Sequence, residues 1–488
     1  MKLGELLTGV KVRGKFDPNI EIERLSYDSR QVEPGDLFVA IRGRSFNGAN
    51  FIAEALKRGA IAVVSERIPE EVKGDLLLVE SARYALAILS ANFYAHPDRK
   101  LALVGVTGTN GKTAVTHLLA HIFNRAGVRA AAVGTLGCLK EGVYLPLRHT
   151  TPEAPELYGL LAGLVSEDYR FVAMEVSSHG LAENRVAGIK WRGALFTNLT
   201  QDHLNFHGDM EQYYLAKRRL FESLSEGSFG VVNIDDSYGK RLFDEFGGDF
   251  IAISLHHEKA DYRITDYHLS SGGSEFNVMM PRGRSVSFSS PLLGRFNLYN
   301  ALFAIAVADI FGLEPDTIAV GLATYRGVSG RLEPVEMGQP FGVYIDYAHT
   351  PDALRNTLET LRQITTGRLI VVFGCGGDRD REKRPIMGSV AARIADRVIV
   401  TSDNPRSESP ESIIDEIVAG IPEGSDFEAI VSRREAIELA LSEAKAGDIL
   451  LIAGKGHETY QIIASEKLRF SDREVVCELL RERGYSLE

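Results

Sequence analysis

Cysteine is scarce in this sequence: three residues in 488, at Cys138, Cys375 and Cys477. They lie far apart and form no C-x-x-C pair, which excludes a disulfide framework or a zinc cluster and fits a reducing compartment. Positive charge is also short, since 55 Lys and Arg against 66 Asp and Glu leave a net charge of −11. General nucleic-acid binding leans on basic patches and is excluded as the main role. An anionic substrate stays open, because a local field and the global charge are separate matters. Long apolar runs are missing too. The best stretch, Ala301 to Leu313, is interrupted by Asp309 and is too short to span a bilayer. The opening MKLGELLTGVKVRGK has no apolar signal-peptide core. A cytoplasmic protein without membrane insertion is expected.

What is present is ordinary globular composition, 44% apolar and 25% charged. At roughly 150 residues per domain the length suggests about three domains. Residues 1–98 alternate short apolar runs, such as Asp36 to Ile41 and Ala60 to Val64, with helical patterns at Phe51 to Gly59 and Ala82 to Tyr94. They read as a small α/β domain. A second unit, 99–330, opens with the continuous apolar strand Leu101 to Val106, a Gly-rich turn and a helix from Lys112 to Arg125. Further strands at Phe171 to Val176, Ala194 to Thr197 and Gly230 to Asn233 predict a mostly parallel sheet with helices on its faces. Alternating polar and apolar residues between Tyr262 and Leu293 predict antiparallel hairpins. In 331–488 the strand–helix rhythm resumes at Val343 to Asp346, Leu369 to Phe373, Val398 to Thr401 and Ile449 to Ala453, a Rossmann-like domain.

The strongest local signal is Gly105-Val-Thr-Gly-Thr-Asn-Gly-Lys-Thr113 between a strand and a helix. In such a loop the backbone N–H groups of Thr107, Gly108, Thr109, Asn110 and Gly111 can approach phosphate oxygens. Lys112 can reach the β/γ-phosphates and Thr113 can hold Mg²⁺. Val106 stands where the strict G-x-x-x-x-G-K-[ST] pattern needs glycine, so the match is to the shorter G-x-x-G-K-T.

Thr107 to Thr113 resembles the ATP loop of the Mur ligases, which build the peptidoglycan peptide; folylpolyglutamate synthases have a similar one. Glu175-Val-Ser-Ser-His179, Thr197-Asn-Leu-Thr-Gln-Asp-His203, Gly294-Arg-Phe-Asn297, Gly330-Arg331 and Asp346-Tyr-Ala-His-Thr-Pro351 match the same family in order. The resemblance implies a two-step amide ligase: a substrate carboxylate attacks the γ-phosphate of ATP, and an amine then displaces phosphate from the acyl phosphate. It implies two Mg²⁺ ions, with Thr113 and Glu175 toward one and His203 toward the other, and Lys112 on the phosphates. Lys217, in Tyr213-Tyr-Leu-Ala-Lys217, corresponds to the family lysine that carries a carbamate. Taken alone, Lys217 reads as a surface lysine beside Arg218 and Arg219. Asn300 corresponds to the adenine contact, and Arg331 and Asp346 to the phosphate and ribose contacts, which would set ATP between two domains.

Leu25-Ser-Tyr-Asp-Ser-Arg30 and Pro34-Gly-Asp-Leu-Phe-Val-Ala40 resemble the UDP-binding domain of the family member that adds the third peptide residue, with Ser29 on the UDP end. Folylpolyglutamate synthases lack such a domain. The resemblance places the muramyl-dipeptide substrate on Thr150, Thr151, Ser177 and Arg185, with Asn110 nearby. Glu183, where some relatives have glutamine, would sit awkwardly near an anion unless it is protonated or faces a cation. Asp403-Asn-Pro-Arg406 matches the signature of ligases that add meso-diaminopimelate rather than L-lysine. An arginine fork can grip the distal carboxylate that lysine lacks. Arg379, Asp403, Asn404, Pro405, Arg406, Gly454 and Glu458 are the implied amino-acid pocket, Glu458 facing the distal ammonium. The expectation is a monomeric enzyme that joins meso-diaminopimelate to UDP-N-acetylmuramoyl-L-Ala-D-Glu. The alternatives are the L-lysine-adding ligase and a nucleotide-binding scaffold that keeps the fold without ligating.

Overall fold

The computed structural model describes residues 1–43, 46–67, 75–248, 250–270 and 272–486. The chain divides into two compact units: Met1–Thr107, Gly127–Leu195 and Leu215–Gly230 form one, and Gly108–Ala126, Phe196–Tyr214 and Val231–Glu488 the other.

The first unit holds a four-stranded parallel sheet in chain order, Arg24–Ser26, Asp36–Ala40, Ala62–Ser65 and Asp75–Leu78. Its two middle strands are largely apolar on both faces because both faces are covered. Leu37, Val39, Ala62 and Val64 join one core, while Phe38, Ala40 and Val63 join another. Alternate side chains point to opposite faces, so a wholly apolar strand is what a doubly covered sheet requires. The third strand starts two residues later than the sequence pattern suggests. The helix Ile52–Arg58 ends in a left-handed Gly59 (φ 110°), and Ala60 still donates back to Ala55 O. The same unit carries strands in the spatial order Gly193–Phe196, Ala102–Thr107, Phe171–Glu175, Ala130–Gly134, Gly137–Lys140 and Val143–Leu145. The last three form an antiparallel meander that the sequence pattern did not reveal; its edge strand is fully exposed and carries no alternation.

In the second unit the Tyr262–Leu293 region is antiparallel as expected: Tyr262–Ser270, Gly273–Met280 and Arg284–Ser290 pair in succession. After residue 330 comes a six-stranded sheet in the order Glu333–Pro334, Gly342–Asp346, Ile449–Ala453, Leu369–Phe373, Arg397–Thr401 and Phe427–Ile430, parallel except at its first pair. Val371, Phe373, Val398, Val400 and Leu451 face one core; Ile370, Val372, Ile399, Leu450 and Ile452 face the other. With both faces filled, polar groups can leave the sheet only at strand ends. The carboxyl ends of the three central strands release Gly374–Arg379, Ser402–Arg406 and Gly454–Glu458 side by side, the edge at which open α/β sheets bind ligands.

Beneath these loops lies a fully buried ion pair. Arg433 and Asp472, each opening a helix, are both 0% exposed and joined by two 2.7 Å hydrogen bonds. Arg433 also donates to Ala453 O at 2.9 Å and Ser402 O at 3.4 Å, tying two strand ends together. Asp472→Asn leaves that guanidinium buried without its counter-charge and is expected to destabilise this unit by about 3–5 kcal/mol. The double change Arg433→Met, Asp472→Leu should recover most of the loss, since well-packed apolar pairs often replace buried ion pairs at little cost. Urea unfolding of the wild type and the two variants checks both outcomes.

Candidate active site

The phosphate-type loop is shaped by close packing. Gly108 has φ 144°, and a Cβ there would lie 1.9 Å from Thr197 Oγ1, so only glycine fits. Thr197 Oγ1 in turn donates to Asn110 O at 2.6 Å, and Asn198 Oδ1 accepts from Asn110 N at 2.9 Å. Thr109 is buried, its hydroxyl within 3.2 Å of both Thr200 O and Tyr213 Oη. Lys112 Nζ curls back onto Gly108 O at 3.0 Å and Thr109 O at 2.8 Å. Gly111 is the N-cap of the 14-residue helix Lys112–Arg125, and no side chain caps it. Its backbone start presents the positive end of the helix dipole beside the Lys112 ammonium, an arrangement suited to polyphosphate.

Residues far along the chain reach the same loop. Arg331 Nη2 donates to Thr113 Oγ1 at 3.2 Å, and Asn110 Nδ2 donates to Asp352 Oδ2 at 3.1 Å. Asn300 is buried at the sixth position of the helix Arg295–Ile310; its Nδ2 donates to Asn297 Oδ1 at 2.8 Å. Asp346 ends its strand fully sequestered, accepting from Leu332 N at 2.6 Å and Ala348 N at 2.8 Å. Burial pushes its carboxyl above the ordinary value, against the charge of Arg331 and those hydrogen bonds. His203, at φ 56°, sits 3.4 Å from the Asp202 carboxylate, which His349 also faces at 3.8 Å. Burial opposes ionisation of Asp202. The facing His349 imidazole and the nearby His203 and Lys383 charges outweigh it and hold the carboxyl well below the usual range.

Within the first unit the structure gathers a second group. Glu175, 1% exposed at the end of Phe171–Glu175, accepts from Thr135 N at 3.0 Å and Thr135 Oγ1 at 3.1 Å. Thr135 Oγ1 lies 3.1 Å from Thr150 Oγ1, while Thr151 Oγ1 donates to Glu175 O and takes the Ser177 N–H at 2.9 Å. Arg185 Nη1 donates to Thr151 O at 2.9 Å. Glu175, Thr150, Thr151, Ser177 and Arg185 therefore form one network, with Thr135 as a member that sequence reasoning missed. Glu183 does face a cation: Arg185 Nη2 donates to it at 2.5 Å, Arg185 Nε lies 3.1 Å from Glu153, and Arg83 lies 3.2 Å from Glu153 and 3.8 Å from Glu183. Two arginines and two carboxylates balance one another. Arg83 and Glu153 carry no motif of their own, so no sequence signal could have found them. Ser29 is buried in the turn Ser29–Gln31 with its hydroxyl 3.5 Å from Glu54. Among the described residues no hydrogen bond joins it to Thr150, Thr151, Ser177 or Arg185. Thr107 is wholly buried at its strand end, and Lys217, on the helix Met210–Glu222, is 1% exposed. Lys217 is thus a core residue, and the surface-lysine reading does not hold.

The third group lies on the six-stranded sheet. Gly377 N donates to Asn404 O at 2.9 Å, and Arg406 Nη1 to Gly377 O at 2.8 Å, which fastens the two loops. Arg406 adopts φ 51° and is held there by backbone bonds to Ile462 and Ala464. A Cβ on Gly376 would lie 2.8 Å from Arg406 Nη1 and 3.8 Å from Arg379 Cγ, so the two side chains flank one glycine, and burial and the charge of Arg406 lower the Arg379 pKa. Pro405 is buried, and Gly454 (φ 112°) leaves no room for a side chain, since a Cβ would lie 2.6 Å from Asp403 Oδ2. Asn404 Nδ2 donates to Glu458 Oε2 at 2.8 Å. The residues the sequence assigns to one pocket are in one place. Lys455, inside the quoted Gly454 to Glu458 segment, is an additional wholly buried member.

Comparison with known proteins agrees along the chain. Residues 21–94 match the Mur ligase family catalytic domain, 106–308 the Mur ligase middle domain and 330–456 the Mur ligase glutamate ligase domain. The UDP-N-acetylmuramoyl-L-alanyl-D-glutamate–2,6-diaminopimelate ligase of Caldanaerobacter subterraneus subsp. tengcongensis is 44% identical over 484 residues, 99% of both chains. A solved structure of a ligase with that name aligns at TM-score 0.71 and 34% identity, covering 100% of both chains. MurF ligase from Thermotoga maritima in complex with ADP shares the fold, at TM-score 0.64 and 20% identity over 95% of this chain and 98% of its own. The loop, the buried strand-end carboxylate and the paired arginines belong to a three-domain α/β chain of the Mur ligase family.

Proposed function

We propose that the chain is the ATP-dependent ligase that joins meso-diaminopimelate to the D-glutamate carboxylate of UDP-N-acetylmuramoyl-L-Ala-D-Glu, releasing ADP and phosphate, in peptidoglycan precursor synthesis. Its relatives carry that activity in their name. The observation that carries the reading within this chain is that Arg379 and Arg406 flank Gly376 on the carboxyl edge of the sheet that also holds Asp403 and Glu458. Two adjacent cations are a costly arrangement without an anion to share, and meso-diaminopimelate brings a distal carboxylate together with an ammonium.

The substrate carboxylate oxygen attacks the γ-phosphorus of ATP, the bond to the bridging oxygen breaks, and ADP leaves. The diaminopimelate amine then adds to the acyl-phosphate carbon, loses a proton, and expels phosphate from the tetrahedral intermediate. Lys112, the loop amides from Thr107 to Gly111 and the helix start would hold the phosphates. Asn300, Arg331 and Asp346 would hold the rest of ATP, and water exclusion would protect the acyl phosphate. Among the described residues no group of three or more His, Cys, Asp or Glu is arranged to hold a metal. Mg²⁺ keeps waters and nucleotide phosphates as ligands and asks few protein oxygens. The donors would be Thr113, Glu175 and His203, with a carbamate on Lys217 supplying a further anionic oxygen; the ions would neutralise phosphate charge. The burial of Lys217 supports a role inside the site. Ser29, Asn110, Thr150, Thr151, Ser177 and Arg185 would bind the UDP-linked substrate. The reading includes domain borders near residues 98 and 330, a monomer, and work in the cytoplasm, where ATP and the nucleotide substrate are.

Purified protein with Mg-ATP and UDP-muramoyl-dipeptide is expected to release ADP with meso-diaminopimelate and at least about tenfold more slowly with L-lysine. Preference for lysine would overturn the pocket; ATP binding without turnover in either case would favour a scaffold. Arg406→Ala should raise KM for diaminopimelate by about one to two decades, the scale of a lost charged hydrogen bond, with KM for ATP little changed. Glu183→Gln removes one of the carboxylates that orient Arg185, and should raise KM for the UDP-substrate by about threefold to tenfold. Initial-rate kinetics on each variant decide.

A further inference from the structure

The Glu458 carboxylate does not wait alone for its ligand. Lys455 is 0% exposed, and its Nζ lies 3.1 Å from Glu458 Oε2 and 3.3 Å from Asn404 Oδ1. Asn404 closes the triangle by donating to the same Glu458 oxygen at 2.8 Å, and its Oδ1 also accepts from Ile462 N at 2.9 Å. Among the described residues both bonds to the Glu458 carboxylate fall on Oε2. A fully buried ammonium is expensive to keep, and one that binds both an amide and a carboxylate of the same pocket fixes them as a unit. It also changes the local charge. Arg379, Arg406 and Lys455 contribute three positive charges against the three of Asp378, Asp403 and Glu458, while Arg433 and Asp472 cancel below.

We propose that Lys455 is a positioning residue of the amino-acid site, holding Asn404 and Glu458 in register and supplying the positive charge that makes the pocket favour a zwitterionic distal end over a bare ammonium. This rests on the reading that the site takes meso-diaminopimelate. At neutral pH the distal carbon of diaminopimelate carries an ammonium and a carboxylate, with no net charge; the distal end of L-lysine is a lone cation. With Lys455 present, the charges of the pocket balance and suit a distal end of no net charge. Without it, Glu458 is released, the pocket turns net negative, and lysine gains relative to diaminopimelate.

The test is the ratio of kcat/KM for meso-diaminopimelate to that for L-lysine in the wild type, Lys455→Met and Lys455→Arg. In Lys455→Met the ratio should fall by about tenfold or more, mainly through KM for diaminopimelate, while KM for ATP and for the UDP-substrate stays within about twofold. Lys455→Arg restores the charge and should keep the ratio within about threefold of wild type. A ratio in Lys455→Met within about twofold of wild type overturns the assignment, as does its collapse in Lys455→Arg. Should thermal unfolding show Lys455→Met to be misfolded, Lys455→Arg alone decides by the same criterion. The wild-type ratio is read first: a wild type that does not prefer diaminopimelate overturns the functional reading itself, and a wild type that does, with an unmoved Lys455→Met, overturns only the role of Lys455.

Discussion

The constraint on which the rest depends is that the parallel strands are covered on both faces. A strand such as Leu369–Phe373 spends every side chain on one core or the other, so it has none left for chemistry. Function is pushed to the edge where the strands end, and the loops there must provide all the polar groups. Asp346, Gly374–Arg379, Ser402–Arg406 and Gly454–Glu458 each follow directly from a strand of one sheet. The same holds in the first unit, where Glu175 is the last residue of its strand.

Loops that carry charge at a buried edge need support from within. Arg433 braces two strand ends through their carbonyls, and its charge is met by Asp472. Arg384, 0% exposed, binds Glu408 and Glu416 and reaches Gly376 O. Arg185 is held by Glu183 and Glu153. In each case at least one carboxylate from another segment fixes the guanidinium, which sets its fork before any ligand arrives.

Much of this was legible in the sequence, for a physical reason. A loop that must approach phosphate needs glycine at fixed places, and a strand covered on both faces must be continuously apolar, so Gly108 to Thr113 and the central strands announce themselves. The pocket tetrapeptide Asp403 to Arg406 was legible through its resemblance to the signature of the diaminopimelate-adding ligases, since an Asn-Pro turn alone is a common loop. Lys217 was misleading in isolation: flanked by Arg218 and Arg219 it looks solvated, and only the packing of its helix buries it. Arg83, Glu153 and Thr135 were invisible, since each contributes one ordinary side chain from an ordinary segment and gains meaning only through its neighbours. The meander at Gly137–Leu145 stayed hidden because an exposed edge imposes no pattern on its residues.

The fit at Gly108 bears on how this protein could escape an inhibitor. A Cβ there would lie 1.9 Å from Thr197 Oγ1, the hydroxyl that holds Asn110 O, and 3.0 Å from Asn198 O. A compound pressed against that stretch of main chain touches a surface that mutation cannot easily reshape, because adding any side chain first breaks the loop. Resistance would have to arise from residues farther out, where substitutions cost the fold less and give the drug chemist more warning.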